Sequence, residues 1–219
     1  MADAVIRPFD SADLDALYRI CLRTGAAGGD ATDLVNDGRL IGEIWAAPYA
    51  LLEPDLAFVL EDTNGEVVGY VLGSLDAVGF EDRCESEWWP AVRHRHVLVE
   101  NGDRIDDLLI ALIHNRPQPR HDLVDEFPSE LHIDLLPEAQ GRGHGRRMIE
   151  TLLAALADLG SLGVHMGVSA ENLNAIGFYR SLGFVEFDFD GVSHTFVRSL
   201  TNWQISARGY RHGVDQRAE

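Results

Sequence analysis

Between Glu130 and Ala170 the chain leaves itself few ways to fold. "ELHIDLL" (Glu130 to Leu136) alternates in the manner of a strand. A glycine turn follows, and then a helix to about Leu159, with Met148, Leu152, Leu156 and Leu159 on its buried face and Ile149 and Leu153 beside them. "GVHMGVSA" (Gly163 to Ala170) reads as a second strand. Strand, helix and strand at this spacing form a βαβ unit, so the two strands are expected to be parallel and the crossover right-handed.

The turn itself, "QGRGHGRR" (Gln140 to Arg147), is an odd way to begin a helix. Each glycine costs up to about 1 kcal/mol relative to alanine inside a helix. The arginines meet the positive end of the helix dipole. An anion resolves both problems. The first N–H groups of a helix have no partner within it. Glycines at 141, 143 and 145 let an anion come close to them, and Arg142, Arg146 and Arg147 can pair with its oxygens. Phosphate fits this description, and a diphosphate suits a loop of this length. A Walker loop requires Gly-Lys-Ser/Thr where this one has Gly145-Arg146-Arg147, and a Rossmann turn requires a third glycine where Arg146 stands.

Elsewhere the pattern is regular. "AVIRPF" (Ala4 to Phe9) reads as a first strand, and Asp10 or Ser11 can cap a helix carrying Leu14, Leu17, Cys21 and Leu22. A loop at Gly25 to Asp33 precedes a second helix over about Leu34 to Ala46, with Leu40, Ile41, Ile44 and Trp45 on one face. Asn64-Gly65 sits between two β-rich runs as the turn of a hairpin. Residues from about Val78 to Pro128 are less regular, apart from a helix in "DRIDDLLIALIHN" with Ile105, Leu108, Leu109, Leu112 and Ile113 as its stripe. A helix from Asn172 to Leu182 ends at Gly183, and "FVEFDF" and "SHTFVRSL" supply the last strands. Residues 1–200 thus read as a single domain with an insertion at about 78–128, and residues 201–219 as a loose tail.

A formal charge of −18 argues against general nucleic-acid binding, which needs a basic face. It either steers cationic substrates or simply solvates the surface. All 18 basic residues are arginine, so the chain has no lysine of its own to acetylate. No apolar run approaches the roughly 20 residues that span a bilayer, so no membrane association is expected. The start has no signal-peptide pattern, and Cys21 and Cys84 lack metal-type spacing. Both observations point to the cytoplasm.

Gln140, Gly143 and Gly145 form a Gln-x-x-Gly-x-Gly pattern that resembles the coenzyme A loop of the GNAT acetyltransferase superfamily. "ENLNAIGFYRSLGF" (Glu171 to Phe184) resembles that family's Asn-x-x-Ala…Tyr…Gly-Phe helix. "LYRIC", "PDLAFVLED", "GYVLGSLD" and "LHIDLL" resemble more closely the acetyltransferase-like C-terminal domain of O-GlcNAcase and its free-standing bacterial relatives. The resemblance implies an α/β (α+β) GNAT fold. Such a fold has a mixed, mostly antiparallel twisted sheet of six to seven strands, a parallel splayed central pair, and helices on both faces. It also implies an acetyl-CoA-dependent N-acetyltransferase acting by direct attack of an amine on the thioester. The rival reading is a non-catalytic acyl-CoA-binding or protein-interaction module, because the loop is degraded in animal members of that group.

By the same resemblance, acetyl-CoA is the cosubstrate and no metal is required. The backbone near Ile133, Leu135 and Leu136 would meet pantetheine. Residues Gln140, Gly141, Arg142, Gly143, His144, Gly145 and Arg146 would hold the diphosphate, and Asn172, Phe178 and Tyr179 would complete the cofactor site. Asn172 is equally well read as a helix cap alone. Tyr179 matches the family's proton donor to the departing thiolate, and it also sits at helical spacing with Ala175 and Leu182. Glu130, His132 and Asp134 share one strand face. That row is either a source for a general base, Asp134 first and His132 second, or hydrogen-bonded structure. A bulge near the site would reverse which residues face the ligand. In "RHRH" (Arg93 to His96) a metal site competes with a solvated face, and Trp88 and Trp89 read as anchors of the insertion, which would form a lid or an acceptor-side wall. The acceptor is expected to be a small amine or a protein amine, and the protein a possible homodimer.

Overall fold

The computed structural model describes residues 4–100, 102–117 and 120–201, so the expected tail beyond Thr201 lies outside the described residues. Strand β1 (Val5–Pro8) leads into a 3-10 turn at Ser11–Asp13, where the Asp10 carboxylate accepts the Ala12 N–H. Helix α1 (Leu14–Thr24) follows, burying Leu17, Ile20 and Cys21 at helical spacing. Strands β2 (Ala57–Glu61) and β3 (Val67–Ser74) form the expected hairpin. Its turn is built by the Asp62 carboxylate, which accepts the N–H groups of Asn64 and Glu66, and Gly65 supplies the left-handed residue at φ 83°.

Strand β4 (Ser129–Leu135), helix α8 (His144–Asp158) and strand β5 (Gly163–Ser169) are the βαβ unit. Helix α9 (Leu173–Ser181) and strands β6 (Val185–Phe189) and β7 (Ser193–Ser199) complete the sheet. Its order is β1-β2-β3-β4-β5-β7-β6, and among the described residues only β4 and β5 run parallel. Helix α9 ends in a Schellman motif. Phe184 N–H bonds the Tyr179 carbonyl, Gly183 N–H bonds that of Arg180, and Gly183 takes φ 81°.

The two sheet faces are distinct. Leu131 lies opposite Gly73, where an added Cβ would come within 3.0 Å of Leu152 on α8. That row therefore faces α8. Glu130, His132 and Asp134, opposite Ser74, Leu72 and Tyr70, face the other way, where Tyr49 of α3 (Ala47–Leu52) reaches Glu130.

Several sequence expectations need correction. The second helix begins at Leu40 and forms α2 (Leu40–Trp45). The chain before it is held as a turn because the Asp106 carboxylate takes the N–H groups of Asn36 and Asp37. Trp45 is 36% exposed and Leu159 is 56% exposed, so neither belongs to its predicted buried face.

The insertion is more ordered than its pattern suggests. It contains α4 (Ala77–Arg83), a π-helical turn at Cys84–Trp88, α5 (Trp89–Arg95), α6 (Ile105–His114) and α7 (His121–Val124). On α6, Ile105 and Leu108 are exposed while Asp106 and Asp107 are buried, because Asp106 serves the 36–37 turn and Asp107 pairs with Arg104. Leu40, Ile44, Phe80, Cys84, Trp89, Val92 and Ile113 form a second apolar cluster joining α2 to the insertion.

The histidine–arginine run fastens this insertion. Arg95 and His96 both contact the buried Glu43, at 2.7 and 2.6 Å, and Arg93 pairs with Glu85. The indole N–H groups of Trp88 and Trp89 donate to the Glu43 carbonyl and the Glu81 carboxylate. No helix of the described residues is long and apolar enough to cross a membrane.

Candidate functional site

Strands β4 and β5 pair only at Ser129–Val164 and Glu130–His165. Beyond that point β4 continues to Leu135 beside β3, and β5 continues to Ser169 beside β7, so the two diverge and a gap opens in the sheet. Pairing of β3 with β4 is unbroken from Gly69–Leu135 to Ser74–Glu130, so no bulge reverses the faces of β4.

Leu136 N–H bonds the Val68 carbonyl. Strand alternation therefore turns the backbone groups of Ile133 and Leu135 away from β3, toward the gap. Leu136 itself is a correction. Its N–H is committed to β3 and its side chain is 1% exposed, so it offers the gap no donor.

At the top of the gap lies the glycine loop. Gln140 turns its side-chain amide back onto the Leu135 carbonyl at 2.8 Å, which folds the loop over the end of β4. Gly141 and Gly143 adopt φ 72° and 79°, and a Cβ at either would meet nothing within 4 Å. The loop surface is thus bare backbone. Gly143 is the N-cap of α8 and brings no capping side chain, leaving the first N–H groups of a 15-residue helix for an outside acceptor. Arg142 and Arg146 stand exposed beside it. His144, expected to meet the diphosphate, is the first residue of α8 and turns its side chain inward. It is buried, and its Nδ1 accepts from Arg147.

On the far side of the gap, the Asn172 carboxamide oxygen accepts the Ala175 N–H as the cap of α9. The loop after α1 approaches the same side chain, since a Cβ on Gly28 would lie 3.0 Å from Asn172 Nδ2. Phe178 packs over the start of α8, where a Cβ on Gly145 would lie 3.1 Å from its ring. Tyr179 is buried among Phe178, Phe184 and Phe196. Burial pushes its phenol up, and the Asp134 charge adds to the shift. Phe196 pairs with Met166, on the face of β5 opposite His165, so Tyr179 lies on the α8 side of the sheet. Its electrostatic link to Asp134, on the other face, therefore runs across the gap.

Asp134 and His132 do come together, through a residue that the sequence analysis did not single out. The Tyr70 hydroxyl donates to Asp134 Oδ2 at 2.6 Å and lies 3.1 Å from His132 Nε2. Burial first, and then the Asp134 charge, hold the Tyr70 phenol well above its ordinary value, so it stays a donor. The signal was available. A tyrosine within the apolar run "VVGYVLGS" must find a buried partner for its hydroxyl.

Donor atoms of Cys21, His132 and Asp134 lie within 4.8 Å of one another, a set that suits zinc by type. Burial pushes the Cys21 thiol up, and a metal bound here would have to displace its proton. Further down the row, Glu130 accepts from Tyr49 at 3.0 Å and meets His165 at 3.2 Å, a second polar group that periodicity alone did not connect.

Comparisons with known proteins agree with this fold. Residues 32–184 match the Acetyltransferase (GNAT) family. The chain is 26% identical over 185 residues to Protein O-GlcNAcase of Rattus norvegicus, covering 83% of this chain and 20% of that protein. It is 30% identical over 118 residues to mycothiol acetyltransferase of Pseudarthrobacter chlorophenolicus, covering 54% of this chain and 35% of that one. It therefore spans only a minor part of the length of these curated relatives. The crystal structure of SsHAT superposes with a TM-score of 0.84 at 39% identity, over 90% of this chain and 98% of that one. A phosphinothricin acetyltransferase from Sinorhizobium meliloti, in complex with AcCoA, shares the fold at a TM-score of 0.54 and 18% identity, over 90% of this chain and 89% of that one.

Proposed function

The chain belongs to the acetyltransferase (GNAT) family and is an acyltransferase, and on that premise we propose that it transfers an acetyl group from acetyl-CoA to an amine. The observation that carries this reading is the gap between β4 and β5, which ends on a glycine loop with bare backbone and a helix start. A thiol-bearing nucleotide needs such a combination: an edge for its amides and a nest for its diphosphate.

In this reading the N–H groups from Gly141 to Arg146 receive the diphosphate, with Arg142 and Arg146 pairing to its oxygens. Gln140 holds the loop in shape. The backbone of Ile133 and Leu135 bonds the pantetheine arm and the thioester oxygen. A fixed donor of this kind lowers the barrier by roughly 2.7–4 kcal/mol in comparable sites. Asn172 borders the arm, and Phe178 walls the gap at the start of α8.

The amine nitrogen attacks the thioester carbon, the C–S bond breaks, and the sulfur leaves as thiolate. Tyr179 protonates that sulfur, and burial keeps its phenol protonated until then. The amine gives up its own proton to Asp134, directly or through water, with His132 as second acceptor. The Tyr70 hydroxyl fixes both.

The test is release of coenzyme A thiol from acetyl-CoA on addition of primary amines. Amine-dependent release supports the reading. Tight acetyl-CoA binding without release on any amine would turn it toward a binding module.

A further inference from the structure

Helix α1 packs over the same sheet face as His132 and Asp134, and it lays Cys21 against them. The thiol sulfur, one imidazole nitrogen and one carboxylate oxygen lie within 4.8 Å of one another. Among the described residues no other group of three or more histidine, cysteine and acidic side chains is drawn so close. Ligand atoms bound to a tetrahedral zinc at about 2.0–2.3 Å lie about 3.3–3.8 Å from one another. Closing the group around one ion therefore takes side-chain rotations on the order of 1 Å.

The scaffold favours that closure. His132 and Asp134 are two positions apart on β4, so both project from one strand face. Cys21 comes from a helix seated on the sheet by the buried Leu17 and Ile20. Cys21 is 2% exposed and forms the floor, while the His132 and Asp134 side chains are 29% and 20% exposed at the rim. An ion can thus meet the rim from solvent and settle onto the sulfur.

Tyr70 supplies outer support. Its hydroxyl donates to Asp134 Oδ2 and lies 3.1 Å from His132 Nε2. Neither contact consumes its partner, since a carboxylate has about four lone pairs and an imidazole has a second nitrogen. Hydrogen bonds of this kind orient metal ligands. Sulfur, nitrogen and oxygen donors together select zinc over magnesium and calcium, which take oxygen. Three protein ligands leave a fourth position for water.

We propose that Cys21, His132 and Asp134 form a zinc site, and that zinc held there blocks turnover. The sulfur–zinc bond forms as the thiol gives its proton to solvent. The effect on turnover rests on the acetyl-CoA reading above. Zinc engages both proton acceptors of that reading and places positive charge where the amine must arrive. It leaves the glycine loop untouched.

The full chain is titrated with Zn²⁺ by calorimetry, with Mg²⁺ as control. Titration with Co²⁺ is followed by absorption, where a thiolate ligand gives a near-ultraviolet charge-transfer band. A single saturable zinc site, the cobalt band and no magnesium heat are expected. Cys21→Ser should abolish the band. Cys21→Ser and His132→Gln should each weaken zinc binding by about 10²-fold, since an outer-shell partner alone is worth roughly 10–100-fold. His132 stands at the rim, so His132→Gln tests the site should Cys21→Ser fail to fold. Turnover is followed as acetylated amine by mass spectrometry, because released coenzyme A thiol also binds zinc. Zinc should suppress it with acetyl-CoA affinity unchanged, and a chelator should restore it.

No saturable zinc binding, equal binding in every folded variant, a missing cobalt band, or full turnover with zinc bound would each overturn the proposal. Zinc bound as expected by a chain that acetylates no amine would uphold the site and defeat the acetyltransfer reading.

Discussion

Tyr179 and Asp134 sit on opposite faces of the sheet, beside the gap between β4 and β5. Replacing Tyr179 by Phe keeps the ring packed among Phe178, Phe184 and Phe196 and removes only the hydroxyl. Turnover is expected to fall by about 10²–10⁴-fold, the usual contribution of a positioned proton donor, with acetyl-CoA affinity unchanged. Steady-state rates beside a calorimetric titration check both halves, and a wild-type rate would remove Tyr179 from the chemistry. The sequence placed Tyr179, Asp134 and His132 in the candidate site from motif position and strand alternation. It did not bring in Tyr70, Tyr49 or His165, because each joins the site through a cross-strand or helix-to-strand contact. No local pattern within one segment encodes such a contact.

Elements whose pattern is local were legible. Helix α8, the β2–β3 hairpin and the cap and Schellman end of α9 all follow from residues within a few positions of one another. The insertion was not legible, because its order comes from outside itself. Asp106 of α6 builds the turn before α2, and Glu43 of α2 binds Arg95 and His96 at the end of α5. These contacts explain why α6 buries two aspartates and exposes two of its predicted apolar residues. Glu43 is 4% exposed, and removing one member of a buried ionic group typically costs about 3–5 kcal/mol. Arg95 is half exposed and regains water, so Glu43→Ala is expected near the lower end of that range. Amide hydrogen exchange should quicken across α4, α5 and α6 while β4, α8 and β5 stay protected. Uniform acceleration, or none, would contradict the view that Glu43 fastens the insertion to the sheet-bearing part.

Taken together, the packing makes a prediction about alkaline solution. Tyr18, Tyr49, Tyr70 and Tyr179 all have raised pKa values, with burial the leading cause in each. Below about pH 10 the folded and unfolded chains both keep these protons, and the stabilisation is fully present. Above it the unfolded chain releases protons that the folded chain retains, so stability falls as pH rises, by up to about 1.4 kcal/mol per pH unit for each tyrosine. A spectroscopic titration should show tyrosinate appearing cooperatively with loss of the fold. Independent ionisation near pH 10 in an intact fold would mean that the phenols are not buried as described. The central claim is narrower, and it rests on the glycine loop as a diphosphate nest. Isothermal titration of acetyl-CoA into the wild-type chain and into Gly143→Glu tests it most directly. The added Cβ meets no neighbour, and the left-handed φ costs about 1–2 kcal/mol, so the variant should fold while its carboxylate occupies the anion's place. Saturable one-site heat with the wild type and none with the variant is the predicted result, and equal affinity in the two, or no heat with either, would contradict the account.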